Sequence, residues 1–148
     1  MKRTSLLFLT LIVSIVAMAN PVTPDEARQR VAKSINLRRA ATVVQNPSAL
    51  QLVSTSHYQE REGVLAPSYY VFNMGQKGGY VIAAADDRVP AVLGYSDCGT
   101  FDPDNMPENM KAWLQGYDRQ MEYLAHHPET AARINAVKGD EISPLLAT

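Results

Sequence analysis

The first amphipathic segment of the chain begins at residue 23. Residues 23–26 combine a threonine hydroxyl, a proline at the first helical position and a glutamate three residues after the threonine, which is the capping-box pattern of a helix start. Ala27, Val31 and Ile35 then recur at a spacing of four among charged residues. The pattern predicts a helix from Pro24 with one apolar face, followed by a loop over residues 36–48.

The next segment, residues 50–58, is rich in residues that favour strands. Leu50 and Leu52 alternate with Gln51, which predicts a strand near the edge of a sheet. A further strand is predicted over residues 90–95, where Pro90 stands at the start and a missing N–H does least harm.

The strongest β signal is a hairpin between these two segments. Residues 69–72 and 80–83 are aromatic and β-branched runs, and the stretch 75–79 between them contains three glycines that permit the positive φ of a hairpin loop. Neither run alternates polar with apolar residues. Both faces of the hairpin therefore need cover, from helices on one side and from another layer or a partner on the other.

From residue 107 the apolar period becomes helical, which predicts a long helix with one stripe facing the core. The stripe consists of Met110, Trp113, Leu114, Tyr117, Met121 and Leu124. His126, His127 and Pro128 end this helix, and residues 128–137 could form another short one. Together the elements predict an α+β fold in which an antiparallel β-sheet packs against helices.

The N-terminus has the pattern of an export signal. Two basic residues precede an apolar run over residues 6–16, and Ala17 and Ala19 flank Met18. The pattern predicts a signal peptide over residues 1–19, cut between Ala19 and Asn20, and an exported domain over residues 20–148 that is secreted, periplasmic or extracellular. The alternative is a retained membrane anchor, for which the run is short.

Composition excludes several classes of protein. The chain has 148 residues, 46% hydrophobic and 20% charged, which is typical of one domain with an apolar core. A net charge of -1 argues against a nucleic-acid partner. One cysteine excludes an internal disulfide and a multi-cysteine zinc site.

The candidate catalytic groups are sparse. Cys98 follows a predicted strand, where we expect a small, half-buried free thiol. His57, His126 and His127 are scattered and form no pattern with it, so we expect no catalysis by this chain. Residues 86–88, Asp-Asp-Arg, predict a turn in which the arginine balances two acids. No metal site and no cofactor are predicted.

Several of these segments together resemble a known family. The runs that carry the resemblance are residues 69–73, 78–82, 86–96, 101–102 and 107–110, and the stretch 79–101 is the most specific of them. They resemble the propeptide, or Spi-type inhibitor domain, of streptopain-family cysteine peptidases, and among these the interpain-like secreted bacterial precursors. The same domain occurs in that family as a separate inhibitor. The resemblance extends from about residue 24 to the last residue.

The resemblance implies a binding mode. In the family, the domain binds a papain-like catalytic domain, and a loop before the long helix enters the active site and displaces the catalytic histidine. The inserted asparagine of that loop corresponds to Asn109, although the loop over residues 101–109 is a residue longer here and Asn105 is a second candidate. The residues expected at the protease cleft are Asn105, Met106, Pro107, Glu108, Asn109 and Met110.

The C-terminal residues 142–148 resemble the stretch before the mature enzyme begins. The resemblance thus implies an inhibitory prodomain with a body over residues 24–137, a flexible processing tail over 138–148 and a maturation junction at Ala147 and Thr148. The expected partner is a streptopain-type protease domain, in cis or in trans, and the full precursor would be a cysteine peptidase. The alternative is a stand-alone secreted inhibitor or binding domain with no attached protease.

Overall fold

Four antiparallel strands form one sheet between two helices. The computed structural model describes residues 21–38 and 47–130. In chain order the elements are α1 (Pro24–Arg38), β1 (Leu50–Arg61), β2 (Val64–Met74), β3 (Tyr80–Ala84), β4 (Val92–Ser96) and α2 (Glu108–His126), with short 3₁₀ turns at Pro47–Ala49 and Pro103–Asn105. The strand order is β1-β2-β3-β4, so each strand pairs with its neighbours in sequence. The predicted α+β fold is confirmed.

The two central strands are apolar on both faces, as the sequence predicts. Tyr70 pairs with Ala83 and Phe72 pairs with Val81 on one face, while Val71 pairs with Ile82 on the other. Every residue of β3 is buried. The cover is one helix per face, because α1 packs on the first face and α2 on the second. No second layer or partner is required to bury the hairpin.

Helix α1 begins as the capping box predicts. The N–H of Thr23 donates to the Glu26 carboxylate at 2.8 Å, and the Glu26 N–H donates to the Thr23 hydroxyl at 3.3 Å. This pairing lowers the pKa of Glu26. Ala27 and Val31 are buried against the sheet, whereas the side chain of Ile35 lies outside the described part. The helix extends to Arg38, three residues into the predicted loop.

Helix α2 carries the predicted stripe with one exception. Leu114, Met121 and Leu124 are buried, and Met110 and Tyr117 pack against the same clusters. The expectation that Trp113 belongs to the core is wrong, because its side chain is 40% exposed. At about 100° per residue, Trp113 lies roughly 60° from the centre of the stripe, so the spacing groups it with the core although it lies at the margin.

Strand β1 is an edge strand, as predicted, but it is longer and less regular. It continues to Arg61 and turns into β2 through Glu62 and Gly63, a hairpin that the sequence analysis did not identify; Gly63 has φ 74°. The pairing shifts register between Leu52 and Ser54. Leu52 is 38% exposed while Leu50 is buried, so the simple alternation of the two leucines fails.

A buried ion pair lies where α1, the end of β3 and α2 meet. The Arg88 guanidinium donates to both oxygens of Asp86, with Nη2 2.7 Å from Oδ2, and this pairing raises the pKa of Arg88. Arg88 also donates to the Leu124 carbonyl of α2, and Arg30 of α1 donates to the Asp86 carbonyl at 3.1 Å. Only Asp86 pairs directly with Arg88, whereas the exposed Asp87 interacts with it more weakly through its charge.

A second polar contact fixes α2 on the sheet. Asp118 accepts hydrogen bonds from the hydroxyls of Ser68 on β2 and Ser56 on β1, the latter at 3.0 Å. Ser68 is fully buried at a register shift between β1 and β2, which turns its side chain toward α2. Nearby, the Tyr117 hydroxyl is buried without a partner among the described residues, and burial raises the pKa of this tyrosine.

Some predicted features lie outside the described residues. These are the signal peptide over residues 1–19 with its cut between Ala19 and Asn20, the tail over 138–148 and the junction at Ala147 and Thr148. Helix α2 ends at His126, as predicted, and residues 128–130 are again helical. The rest of the short helix predicted to residue 137 lies outside the described part.

Replacement of Arg88 by methionine is expected to destabilise the domain strongly. The Asp86 side chain is only 4% exposed, so removal of its partner leaves a buried carboxylate uncompensated and should cost about 3 kcal/mol. Urea unfolding at pH 7 measures the change. Arg61→Met on exposed β1 is the matched control and should change stability by about 0.5 kcal/mol or less. Equal losses in both variants would contradict the role of the buried pair.

Candidate functional site

The predicted site residues lie in the segment between β4 and α2, residues 97–107, here called the junction loop, and in the first turn of α2. The loop begins against the β2–β3 hairpin, where the Gly79 N–H donates to the Gly99 carbonyl at 2.9 Å. Gly79 has φ 94°, and a Cβ there would lie 2.0 Å from the Ser96 carbonyl oxygen. A glycine is therefore required for the loop to approach the hairpin.

Asn73, the penultimate residue of β2, fixes the middle of the junction loop. Its Oδ1 accepts the Phe101 N–H at 2.8 Å, and its Nδ2 donates to the Phe101 carbonyl at 3.4 Å. The Phe101 ring is buried edge-on against Tyr80, with centroids 5.5 Å apart. This role of Asn73 was not predicted, although a polar residue directly after an apolar strand run was an available signal.

Beyond Phe101 the loop makes one 3₁₀ turn. The Asp102 carboxylate caps this turn by accepting the Asp104 N–H at 3.0 Å, and the Asn105 N–H donates to the Asp102 carbonyl at 3.3 Å. Asn105 is thus the last residue of an ordered turn, and its side chain is exposed.

The first turn of α2 follows within three residues. The Pro107 carbonyl accepts the Lys111 N–H at 3.0 Å, and the Glu108 carboxylate pairs with Lys111 at 2.7 Å. A carboxylate at a helix N-terminus also interacts favourably with the helix dipole. The Asn109 Oδ1 accepts the Met110 N–H at 2.9 Å, so this side chain is held against the helix backbone.

The structure brings the six predicted site residues together at one corner of the domain. Asn105, Pro107, Glu108 and Asn109 are exposed. Met106 and Met110 are half-buried and pack against the cluster that contains Phe101 and Leu114, and the Tyr80 hydroxyl lies 3.8 Å from the Met110 sulfur. The two methionines therefore hold the site against the core, while the two asparagines are exposed to solvent. The same stretch of chain carries three exposed carboxylates: Asp102, Asp104 and Glu108.

The expectation of a half-buried Cys98 is wrong, because this residue is exposed. Strand β4 ends at Ser96, and that serine takes the buried position while its hydroxyl donates to the Cys98 carbonyl at 2.9 Å. His127 lies beyond the far end of α2, stacked on Tyr123. No hydrogen bond joins Cys98 to a histidine in the described part of the chain.

The described residues, 21–38 and 47–130, were also compared with the requirements of metal sites and membrane spans. No group of three or more His, Cys, Asp or Glu residues there could hold a metal ion. None of the helices in that part is both long and apolar enough to cross a membrane.

Comparison with known proteins gives a consistent assignment. The family model described as Spi protease inhibitor matches residues 19–121. The thiol protease/hemagglutinin PrtT of Porphyromonas gingivalis is 41% identical over 103 residues, which cover 70% of this chain and 11% of that protein. Streptopain of Streptococcus pyogenes is 31% identical over 136 residues, which cover 87% of this chain and 33% of that protein.

The chain thus spans a third or less of these curated relatives, and it corresponds to their N-terminal regions. No solved structure matches it. Since the family model covers most of the chain, including the sheet, the junction loop and most of α2, the chain belongs to the Spi protease inhibitor family.

Proposed function

We propose that this chain is the inhibitory propeptide of a secreted, streptopain-type cysteine protease. It occupies the active-site cleft of the protease domain, assists its folding and is removed by proteolysis. Family membership and the correspondence to the N-terminal regions of two relatives support this proposal. The observation that carries it is the anchored corner at which Asn105 and Asn109 are presented on a fixed backbone.

Rigidity suits this corner for inhibition. Asn73, the Phe101 ring and the start of α2 hold the backbone before binding, so little loop entropy is lost in the complex. A peptide bond in a helical turn also makes a poor substrate, because the backbone N–H and C=O groups needed to align an extended substrate are directed along the helix. The corner fills a cleft without offering a well-placed scissile bond.

An asparagine has suitable chemistry for the inserted group. Its amide both donates and accepts, so it satisfies polar groups left by a displaced catalytic imidazole. In Asn109 the oxygen is held by the Met110 N–H, and within the described part of the chain the amide nitrogen makes no hydrogen bond. We assign the insertion to Asn109 because a helical turn fixes it, and Asn105 is the alternative.

The remaining parts of the proposal concern the ends of the chain. A signal over residues 1–19, cut between Ala19 and Asn20, would export the domain, and the tail over 138–148 would be cleaved near Ala147 and Thr148. A stand-alone inhibitor that acts in trans would use the same corner. The two differ in whether a protease domain is covalently attached after Thr148.

The purified chain is expected to slow a streptopain-type protease and to have no peptidase activity of its own. Streptopain freed of its N-terminal region, mixed with increasing amounts of the chain, should hydrolyse a fluorogenic peptide progressively more slowly. The chain alone should leave casein intact. Casein hydrolysis that disappears in Cys98→Ser would contradict the proposal, and unchanged streptopain activity at saturating chain would contradict it independently.

Asn109→Ala is expected to weaken inhibition more than Asn105→Ala does. Loss of the inserted amide leaves a polar group of the cleft unsatisfied, which should cost about 1 to 3 kcal/mol, or roughly 5- to 150-fold in the inhibition constant. Asn109 is exposed, so the melting temperature should fall only slightly. A selective loss in Asn105→Ala would transfer the role to that residue.

Asn73→Ala is expected to weaken inhibition indirectly, by releasing the junction loop. The buried Phe101 N–H loses its acceptor, so the domain should lose about 1 to 2 kcal/mol of stability, and the loop should lose its fixed position. Asn73→Asp is the control, because it keeps an acceptor for that N–H. Both the hydrogen-exchange rate at Phe101 and the inhibition constant should be lowest in wild type, higher in Asn73→Asp and highest in Asn73→Ala. Both are measured well below the melting temperature. Inhibition by Asn73→Ala equal to wild type would exclude this anchoring role.

A further inference from the structure

One side of α2 is exposed and carries no charge. Five residues without charge recur along α2 at spacings of four and three. At about 100° per residue they share one side of the helix, next to the core stripe. This surface, here called the uncharged flank, consists of Asn109, Trp113, Gly116, Gln120 and Tyr123. The charged residues of α2 begin on other sides of the helix, although the Arg119 guanidinium extends to the neighbourhood of Gly116; they are Glu108, Lys111, Asp118, Arg119 and Glu122.

The uncharged flank exposes two large aromatic side chains. Trp113 is 40% exposed, with its ring stacked on Tyr117 at 6.4 Å, and Tyr123 is 52% exposed, with its ring stacked on His127 at 3.9 Å. Both rings are held in place by a neighbouring ring although much of their surface faces solvent. Charged residues are depleted and aromatic residues enriched at the centres of protein interfaces.

Gly116 lies between the two aromatic residues, in the middle of the helix. Glycine there costs about 1 kcal/mol of helix stability relative to alanine. The fold does not require it, because a Cβ at this position would meet only the Arg119 guanidinium, at 3.8 Å. Gly116, Gln120 and Tyr123 line an open groove of about 460 Å³, and Arg119 also lines it. Because Gly116 has no side chain, a partner that displaces the exposed Arg119 side chain can approach the helix backbone closely.

We infer that the uncharged flank is a docking surface for the protease domain, continuous with the corner that enters the cleft. This inference rests on the proposed function. Asn109 is itself the first residue of the flank, and Trp113 follows one turn later, about 6 Å along the helix axis. A protease domain that receives Asn109 in its cleft must therefore also cover or closely face Trp113.

Interface size supports the same occupant. Stable interfaces bury about 800 Å² on each partner, which a single inserted asparagine and its neighbours do not supply. The flank from Asn109 to Tyr123 extends the contact by about 21 Å along α2. The protease domain is favoured over a second copy of this chain because the flank begins at the inserted residue, so a second copy bound there would block insertion.

Trp113→Ala tests the flank directly. A tryptophan at an interface centre is a frequent hot spot, so the variant is expected to bind streptopain, freed of its N-terminal region, at least about 30-fold more weakly. Tyr123→Ala should bind the same protease about tenfold more weakly. Leu65→Ala is the matched control, because Leu65 is an apolar residue that is 68% exposed near the start of β2 and is not part of the flank. It should bind like wild type.

Gly116→Gln keeps the test valid if Trp113→Ala folds poorly. Glutamine favours the helix more than glycine does, so the melting temperature should rise while the protruding side chain weakens inhibition at least about tenfold. Gly116→Ala is the control, because it gives a similar rise in melting temperature without filling the groove, and it should inhibit within about threefold of wild type. Opposite changes in stability and affinity distinguish docking from damage to the fold.

The outcomes separate the two proposals. If wild type fails to inhibit, the proposed function is wrong and this inference falls with it. If wild type inhibits and Asn109→Ala is impaired, but Trp113→Ala and Gly116→Gln inhibit like wild type, only the flank inference is overturned. Sedimentation of the free chain as a dimer that Trp113→Ala dissociates would assign the flank to a second copy and overturn it as well.

Discussion

The constraint on which the structure depends is the apolar character of both faces of the β2–β3 hairpin. All five residues of β3 are buried, and four of the five paired positions of β2, residues 69–72, are buried and aromatic or aliphatic. A strand of this kind is stable in water only when both faces are covered. The chain provides one helix for each face, with α1 before the sheet and α2 after it. The connection into α2 must therefore bring the chain from the last strand to the face opposite α1, and that connection is the junction loop.

Polar groups decide where each helix lies on its face. Apolar burial is non-directional, so it drives α2 onto the sheet without fixing its position along the strands. The Asp118 carboxylate, held by Ser56 and Ser68, and the Arg88 contact with the Leu124 carbonyl supply the directional contacts near the middle and the end of the helix. At its start, the methionines beneath the asparagines and the Asn73 contact with Phe101 do the same. The candidate site is therefore positioned by the whole sheet rather than by its own loop.

Local patterns in the sequence predicted the elements, and the tertiary contacts explain where those patterns failed. The capping box and the hairpin glycines act within a few residues, so α1 and the β2–β3 hairpin were predictable. Leu52 is in regular register with Leu50, so the alternation assigned both to one face but did not show that Leu52 is left 38% exposed there. Trp113 was misplaced because a 3–4 spacing does not separate the centre of a helix face from its margin. Asn73 and Asp118 act on residues 28 and 50 positions away in sequence, respectively. No local pattern identifies such partners. The six site residues came from the family resemblance, and the structure adds how they are held.

The same architecture bears on how an inhibitor of this kind is released. The local loop alone does not fix either asparagine, because the contacts that hold this segment involve β2 and the core stripe of α2. The uncharged flank likewise exists only while α2 is helical, because its members are three and four residues apart. Binding through the proposed corner and flank therefore requires the folded domain. A cut that destabilises the sheet disperses both contacts at once, because binding energy that depends on a preformed surface is lost with that surface. Under the proposed function, inhibition therefore requires the intact domain, and degradation of the domain ends it.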